Sequence, residues 1–261
     1  MTTTSSRPFI AAMQVTLDGY ILGPDGEADW VDSWADGLDL LPEVDAFVLG
    51  GGMFPDYEQF WGAILDDPAA ASEWLGRDPY PRELTYARVA AETPHLVLST
   101  TLRHATWPTA RIIPHINQLH ALKGMAGNAV YVVGGPGLVT SLINSGLLDE
   151  LRLIVHPVAV GSGTALLGGV AQRQALELVR TEPGASGRLN LTYRLSAARA
   201  VTAASRKPPP KSESPSHLSA DRGSHDRDFP QLARESIDRL KAVNGDGRGE
   251  TLVSRRGSAP V

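Results

Sequence analysis

One stretch narrows the folds open to this chain more than any other: Asn128-Ala129-Val130-Tyr131-Val132-Val133-Gly134-Gly135-Pro136-Gly137-Leu138-Val139-Thr140. Residues 129–133 form a short apolar, β-branched run, the pattern of a strand buried on both faces. Two glycines and a proline follow, then an amphipathic segment to Asn144 that stops at Ser145-Gly146. Pro136 suits the first helical position, where the missing N–H costs nothing, and Gly146 suits the helix exit. Strand, glycine turn and helix start together aim free backbone N–H groups and a positive dipole end at one spot. That spot favours an anion such as a dinucleotide pyrophosphate. The same letters also suit a plain tight connection. They do not spell G-x-G-x-x-G, since Thr140 stands where a third glycine would be expected, and no Gly-Lys-Ser/Thr of a Walker loop follows.

The rest of the chain repeats the motif. Residues 8–15 read as a first buried strand, and Asp18-Gly19 and Gly23-Pro24-Asp25-Gly26 read as turns. A loop rich in acids and tryptophan follows, with Glu27, Asp29, Trp30, Asp32, Trp34, Asp36 and Asp39. Residues 46–49 form another short apolar run ending in Gly50-Gly51-Gly52. Two strands that run straight into glycines place glycine-lined edges on one rim of a parallel sheet, a usual ligand position in α/β folds. Residues 53–94 carry less pattern, although 82–91 suits a helix closed by Pro94. Strands are predicted at 95–99, 110–113 and 151–155, and a helix at 115–125. Residues 175–181 and 189–195 alternate around Gly184 and Gly187, as an antiparallel hairpin does. The fold class expected is α/β, with a mostly parallel central sheet, an antiparallel C-terminal hairpin and flanking helices.

Charge divides the chain. Residues 1–198 carry 12 Lys and Arg against 21 Asp and Glu, a net −9; residues 199–261 carry 12 against 8, a net +4. The acidic body would repel nucleic acid. The tail, with Pro208-Pro209-Pro210 and Phe229 as its sole aromatic, is too poor in apolar residues to offset chain entropy. The expected division is therefore a folded domain over 1–198 and a disordered basic tail over 199–261, with residues 229–243 forming at most a weak helix face. The chain has no cysteine, which removes a disulfide framework, a thiolate nucleophile and a zinc ribbon. No apolar run reaches the roughly 20 residues of a membrane span, and the first residues lack a secretory pattern. A cytoplasmic protein is expected, without nucleic-acid or membrane partners. No Gly-x-Ser-x-Gly elbow is present. His115 and His120, five apart, would face different sides of a helix, which argues against a metal site.

The long block from Val132-Val133-Gly134-Gly135-Pro136-Gly137 through Gly146-Leu147-Leu148-Asp149-Glu150-Leu151 to His156-Pro157-Val158 and Gly161-Ser162-Gly163, with Thr16-Leu17-Asp18-Gly19 and Val97-Leu98-Ser99-Thr100-Thr101-Leu102, resembles the bacterial dihydrofolate-reductase-like family. That family includes the reductase domain of the bifunctional riboflavin-biosynthesis deaminase-reductase, and the resemblance spans about residues 8–195. It implies an NAD(P)H-dependent reductase acting on a small heterocyclic or carbonyl substrate, with NADPH as cofactor and NADH as the alternative. It implies a pyrophosphate site at Gly134, Gly135, Pro136, Gly137 and Leu138. Gly50, Gly51 and Gly52 would approach from the neighbouring strand, and Ser99, Thr100 and Thr101 would flank the adenosine ribose. On the substrate side it implies Asp18, Trp30 as a stacking wall, and Asp32 as the proton-handling acid, with Asp36 next in line. A homodimer is implied as well. Thr100 stands where NADPH-preferring relatives often carry a basic residue, and Arg103 is the nearest cation. Residues 31–45 hold several acids and no Lys, Arg or His, which favours an uncharged or cationic substrate over a phosphorylated one. The alternative reading is a non-catalytic nucleotide-binding or interaction module on the same fold.

Overall fold

The computed structural model describes residues 7–37 and 39–195. The tail from residue 199 lies outside the described residues. The described residues hold ten strands: β1 (Phe9–Thr16), β2 (Tyr20–Leu22), β3 (Val44–Gly50), β4 (His95–Leu98), β5 (Ala110–Ile113), β6 (Ala129–Gly134), β7 (Glu150–His156), β8 (Thr164–Ala165), β9 (Leu176–Pro183) and β10 (Leu189–Leu195). Five helices join them: α1 (Phe54–Asp66), α2 (Pro68–Leu75), α3 (Pro81–Glu92), α4 (Asn117–Lys123) and α5 (Pro136–Asn144).

Eight strands make one sheet in the order β5-β4-β3-β6-β1-β7-β10-β9. The pairs from β5 through β7 are parallel, and β10 and β9 close the far side antiparallel. The expected fold class is the observed one. Strand alternation explains the two cores. Phe47 and Leu49 of β3 join Ile10, Tyr131 and Val97 beneath α1, α2 and α3. Ala46 and Val48, one residue out of phase, join Phe9, Val130 and Val132 beneath α5.

The glycine-rich ends of β3 and β6 are neighbours because those strands pair directly. Their register jumps from Val48–Val132 to Leu49–Gly134, so Val133 is an extra residue in β6. A bulge of this kind re-aims the strand end, and here it sits just before the glycine pair. Proline and glycine then set the helix as expected: Pro136 opens α5, and Gly146 leaves it at φ +68°. Helices α1 and α2 and the ribbon β2–β8 went unseen in the sequence. The ribbon β2–β8 has strands too short to show alternation. Helix α2 begins at Pro68, capped by Asp67, whose carboxylate accepts from the Ala70 N–H at 2.9 Å.

Candidate functional site

The groove at the glycine rim grows out of three chain ends. Gly51 N–H donates to the Leu98 carbonyl at 3.0 Å, and Ser99 N–H to the Ile113 carbonyl at 3.0 Å, which ties the tips of β3, β4 and β5 together. Ser99 Oγ then accepts from the N–H groups of Thr101 and Leu102 and folds that loop into a tight turn. The resulting groove, of about 630 Å³, is bordered by Gly50, Gly51, Gly52, Ser99, Thr100, Thr101, Gly134, Gly135, Gly137 and Leu138, with His115 and Asn117 from the start of α4. The structure thus brings together most residues singled out at this rim. Pro136 is adjacent as the first residue of α5.

The glycines differ in what they do. At Gly51 an added Cβ would lie 2.3 Å from Ser99 Cβ, so the chain itself forbids a side chain there. At Gly50 an added Cβ would meet no protein atom within 4 Å, so the missing side chain leaves room in the groove rather than in the packing. Gly135 holds φ +81°, which only glycine adopts without strain. The first helical bond of α5 runs from Val139 N–H to the Gly135 carbonyl at 3.1 Å, and no side chain caps the helix. The N–H groups of Gly137 and Leu138 therefore precede the ladder and face the place where an anion would sit. Among the described residues no Lys or Arg borders the groove.

Behind Met53, Gly134 and Gly135 lies a second, smaller cavity of about 70 Å³ that shares those three residues with the groove. Its walls are largely aromatic: Trp34, Tyr57, Trp61, Tyr86 and Tyr131, with Met13 and Val133. Besides the tyrosine hydroxyls, its polar side chains among the described residues are Gln14 and Asp36, and Asp36 is the one carboxylate. Arg188, entering from the hairpin, pairs with Asp36 at 3.3 Å. Tyr86 Oη lies 3.1 Å from Tyr57 Oη, and burial raises both phenols well above their ordinary range. They are neutral hydrogen-bonding walls at any physiological pH.

The substrate-side residues singled out from the sequence lie elsewhere. Asp32 does not border the cavity; its carboxylate is 53% exposed and paired with Arg82 at 2.9 Å. Trp30 packs against the opposite core cluster, and Trp34 takes the wall position. Asp18 shapes a turn: its carboxylate accepts from Thr16 Oγ1 at 2.6 Å and from the Gly161 N–H at 2.7 Å. Hydrogen bonds to the charged form hold its pKa below the usual carboxylate range. Of the acid- and tryptophan-rich loop, Trp34 and Asp36 line this cavity, and Trp30 and Asp32, four residues earlier, do not. Tyr57, Trp61, Tyr86, Tyr131 and Gln14 were missed. For Gln14 and Tyr131 a signal existed, since each is a hydrogen-bonding residue inside an otherwise apolar strand.

Among the described residues no group of three or more His, Asp or Glu is set to hold a metal ion. No helix among them is long and apolar enough to cross a membrane.

Residues 8–189 match the family model of the RibD C-terminal domain. The chain is 31% identical over 192 residues to the uncharacterised protein YyaP of Bacillus subtilis (strain 168), covering 72% of this chain and 94% of YyaP. It is 25% identical over 158 residues to the riboflavin biosynthesis protein RibD of Corynebacterium ammoniagenes, covering 58% of this chain and 43% of that protein. Among solved structures, a protein of Shewanella sp. PV-4 named for riboflavin biosynthesis superposes with a TM-score of 0.53 at 19% identity, covering 72% of this chain and 99% of its own. That last likeness is one of fold.

Proposed function

Because the chain belongs to the RibD C-terminal domain family, we propose that it is an NAD(P)H-dependent reductase of a small, flat, uncharged or cationic ring compound. The observation that carries this reading is the shared wall. An anion-suited groove at a helix start and an aromatic chamber meet across Met53, Gly134 and Gly135. A dinucleotide needs the first, and the ring it reduces needs the second.

The groove fits such a cofactor on three counts: the open space at Gly50, the positive-φ turn at Gly135 and the unladdered N–H groups of Gly137 and Leu138. Gly137 and Leu138 would hold the pyrophosphate, and Thr100 and Thr101 would flank the ribose. A bound dihydronicotinamide supplies the hydride. The chain supplies everything else. Trp34, Tyr57, Trp61, Tyr86 and Tyr131 exclude water and stack the ring. Asp36, oriented by Arg188, accepts a donor N–H or a protonated ring nitrogen and so takes the proton-handling role first given to Asp32. With no cation on the groove, the discrimination between NADPH and NADH is expected to be weak.

The test is thermal unfolding of the full chain with NADPH, NADH and neither. A ligand at about 100 times its Kd adds about 2.7 kcal/mol, which raises the melting temperature by roughly 5 °C or more in a domain of this size. Gly135→Val removes that shift by forcing a β-branched residue to positive φ. Gly50→Val, whose Cβ clashes with no protein atom, narrows the groove in a chain that still folds. A wild-type melting temperature indifferent to both nucleotides overturns the proposal in favour of a non-catalytic module.

A further inference from the structure

A third groove, of about 720 Å³, lies along α1 and shares no residue with the nucleotide groove or the chamber. Glu58, Gly62 and Asp66 stand four apart on α1 and so line it from one helix face. The half-buried Trp107, from the loop ahead of β5, borders it too, with Asp67 and Trp74 from the cap and last turn of α2. Glu58 fixes that loop against the helix: its Oε1 accepts from the N–H groups of Thr106 at 2.8 Å and Trp107 at 2.6 Å. An added Cβ at Gly62 would meet only Trp107 Nε1, at 3.8 Å, so the bare turn opens the groove down to the indole. Glu58, Asp66 and Asp67 have no basic partner among the described residues, and none of those bordering the groove is a Lys or Arg.

A tryptophan-bordered groove with unpaired acids on its rim suits an extended proline segment flanked by cations. The chain carries one, outside the described residues: Arg206-Lys207-Pro208-Pro209-Pro210-Lys211. Residues 199–211 hold four basic residues and no acid. Consecutive prolines restrict a segment to the polyproline II form and leave it little freedom to lose on docking. The spacings agree. At the polyproline II rise Lys207 and Lys211 stand about 12 Å apart, and at the α-helical rise Glu58 and Asp66 are also about 12 Å apart. The reach is sufficient. Leu195 N–H bonds to the Asp149 carbonyl just ahead of β7, and Trp107 lies just ahead of β5, so both are at the starting end of the parallel strands. From β10 to β5 is about 29 Å across the sheet, and the chain from Leu195 to Pro208 spans up to about 43 Å. We propose that residues 206–211 dock in this groove of their own chain, prolines against Trp107 and flanking cations toward Glu58 and Asp66.

A linker of this length gives a millimolar effective concentration, so docking of millimolar affinity is filled about half the time. Half-filling only doubles the weight of the native state, which moves melting by no more than about 2 °C. The test is therefore a proximity measurement on the full chain, which has no cysteine of its own. Ser212→Cys carries a nitroxide, and the five tryptophan indole N–H signals are read by NMR with the label oxidised and then reduced. The Trp107 signal is expected to weaken at least about twofold, while Trp30, packed in the opposite core, keeps its own. Gly62→Leu fills the groove with a better helix former and restores the Trp107 signal. Asp66→Lys restores it as well, and so does joint replacement of Pro208, Pro209 and Pro210 by alanine, which leaves every charge in place. In a mixture of isotope-labelled chain without nitroxide and nitroxide-labelled chain without isotope, Trp107 stays sharp. An undiminished Trp107, an equal loss at Trp30, or a loss that survives Gly62→Leu or the proline replacement overturns the inference. Broadening in the mixture does so too, since the tail would then come from a second copy. None of these outcomes bears on the nucleotide-dependent melting shift, which tests the reductase reading at a different groove.

Discussion

His95 is 1% exposed, its ring packed edge-on against Phe47 with centroids 4.9 Å apart. Nδ1 faces the Thr93 carbonyl at 2.8 Å, so it carries the hydrogen, and Nε2 is left as acceptor toward Tyr57 Oη at 3.5 Å. Burial drives the imidazole pKa down to about 4 from an ordinary 6.5. Between those two values the unfolded chain holds a proton that the native state lacks. Stability is therefore full above pH 6.5, falls as pH drops through that window, and loses nothing more from this group below about pH 4. The loss amounts to about 3 kcal/mol. Urea denaturation at pH 7 and pH 4.5 measures it. His95→Gln is expected to flatten that difference against wild type, and equal slopes in the two proteins would refute the assignment. The same scale explains why Asp36 rather than Asp32 lines the cavity. Asp32 and Asp36 sit in one aperiodic loop, where no alternation tells which side chain points inward. Arg82 on α3 claims the first and Arg188 on the hairpin accompanies the second. Both partners are distant in sequence, so nothing local could sort the two acids.

Helix α3 works as a clamp on that loop. Glu83, 2% exposed, accepts from the Tyr80 N–H at 2.8 Å, from Ser33 Oγ at 2.8 Å and from both terminal nitrogens of Arg77. Arg77 also donates to the Asp32 carbonyl at 3.1 Å. One carboxylate thus caps the helix and anchors the segment that carries Trp34 and Asp36. Arg77 and the other donors hold its pKa low against the opposing effect of burial. Glu83→Ala leaves Ser33, the Tyr80 N–H and the partly exposed Arg77 without their acceptor and is expected to cost about 1–3 kcal/mol in chemical denaturation. A loss under 1 kcal/mol would mean that α3 is held by its apolar face alone. Elements with a strong period were legible: β1, β3, β6, α5 and the β9–β10 hairpin fall where apolar alternation or glycine and proline put them. The 53–80 region was not. Its helices bury Phe54, Tyr57, Phe60, Trp61 and Trp74 in a dense aromatic cluster, and large rings obscure the periodicity that smaller apolar residues display.

At the level of the whole molecule, every strand and helix of the described fold ends by Leu195, and both cores are complete within it. The charge divide near residue 198 is expected to be a true boundary. A chain truncated after residue 198 should keep the melting temperature and nucleotide response of the full chain within about 2 °C. A larger fall would show that residues 199–261 contribute to the fold. The mostly parallel sheet, its antiparallel C-terminal hairpin and the glycine rim could be anticipated because they follow from local turns and the parallel β-α pattern. The chamber could not, since Gln14, Tyr86, Tyr131 and Arg188 meet only after the sheet is assembled. The partition made by Met53, Gly134 and Gly135 is one residue layer deep, and neither compartment can change shape without the other registering it. Two guests on opposite sides of so thin a divider must influence each other by the same factor in both directions. A single compound that tethers an anionic head to a flat ring would straddle the divider and displace either guest.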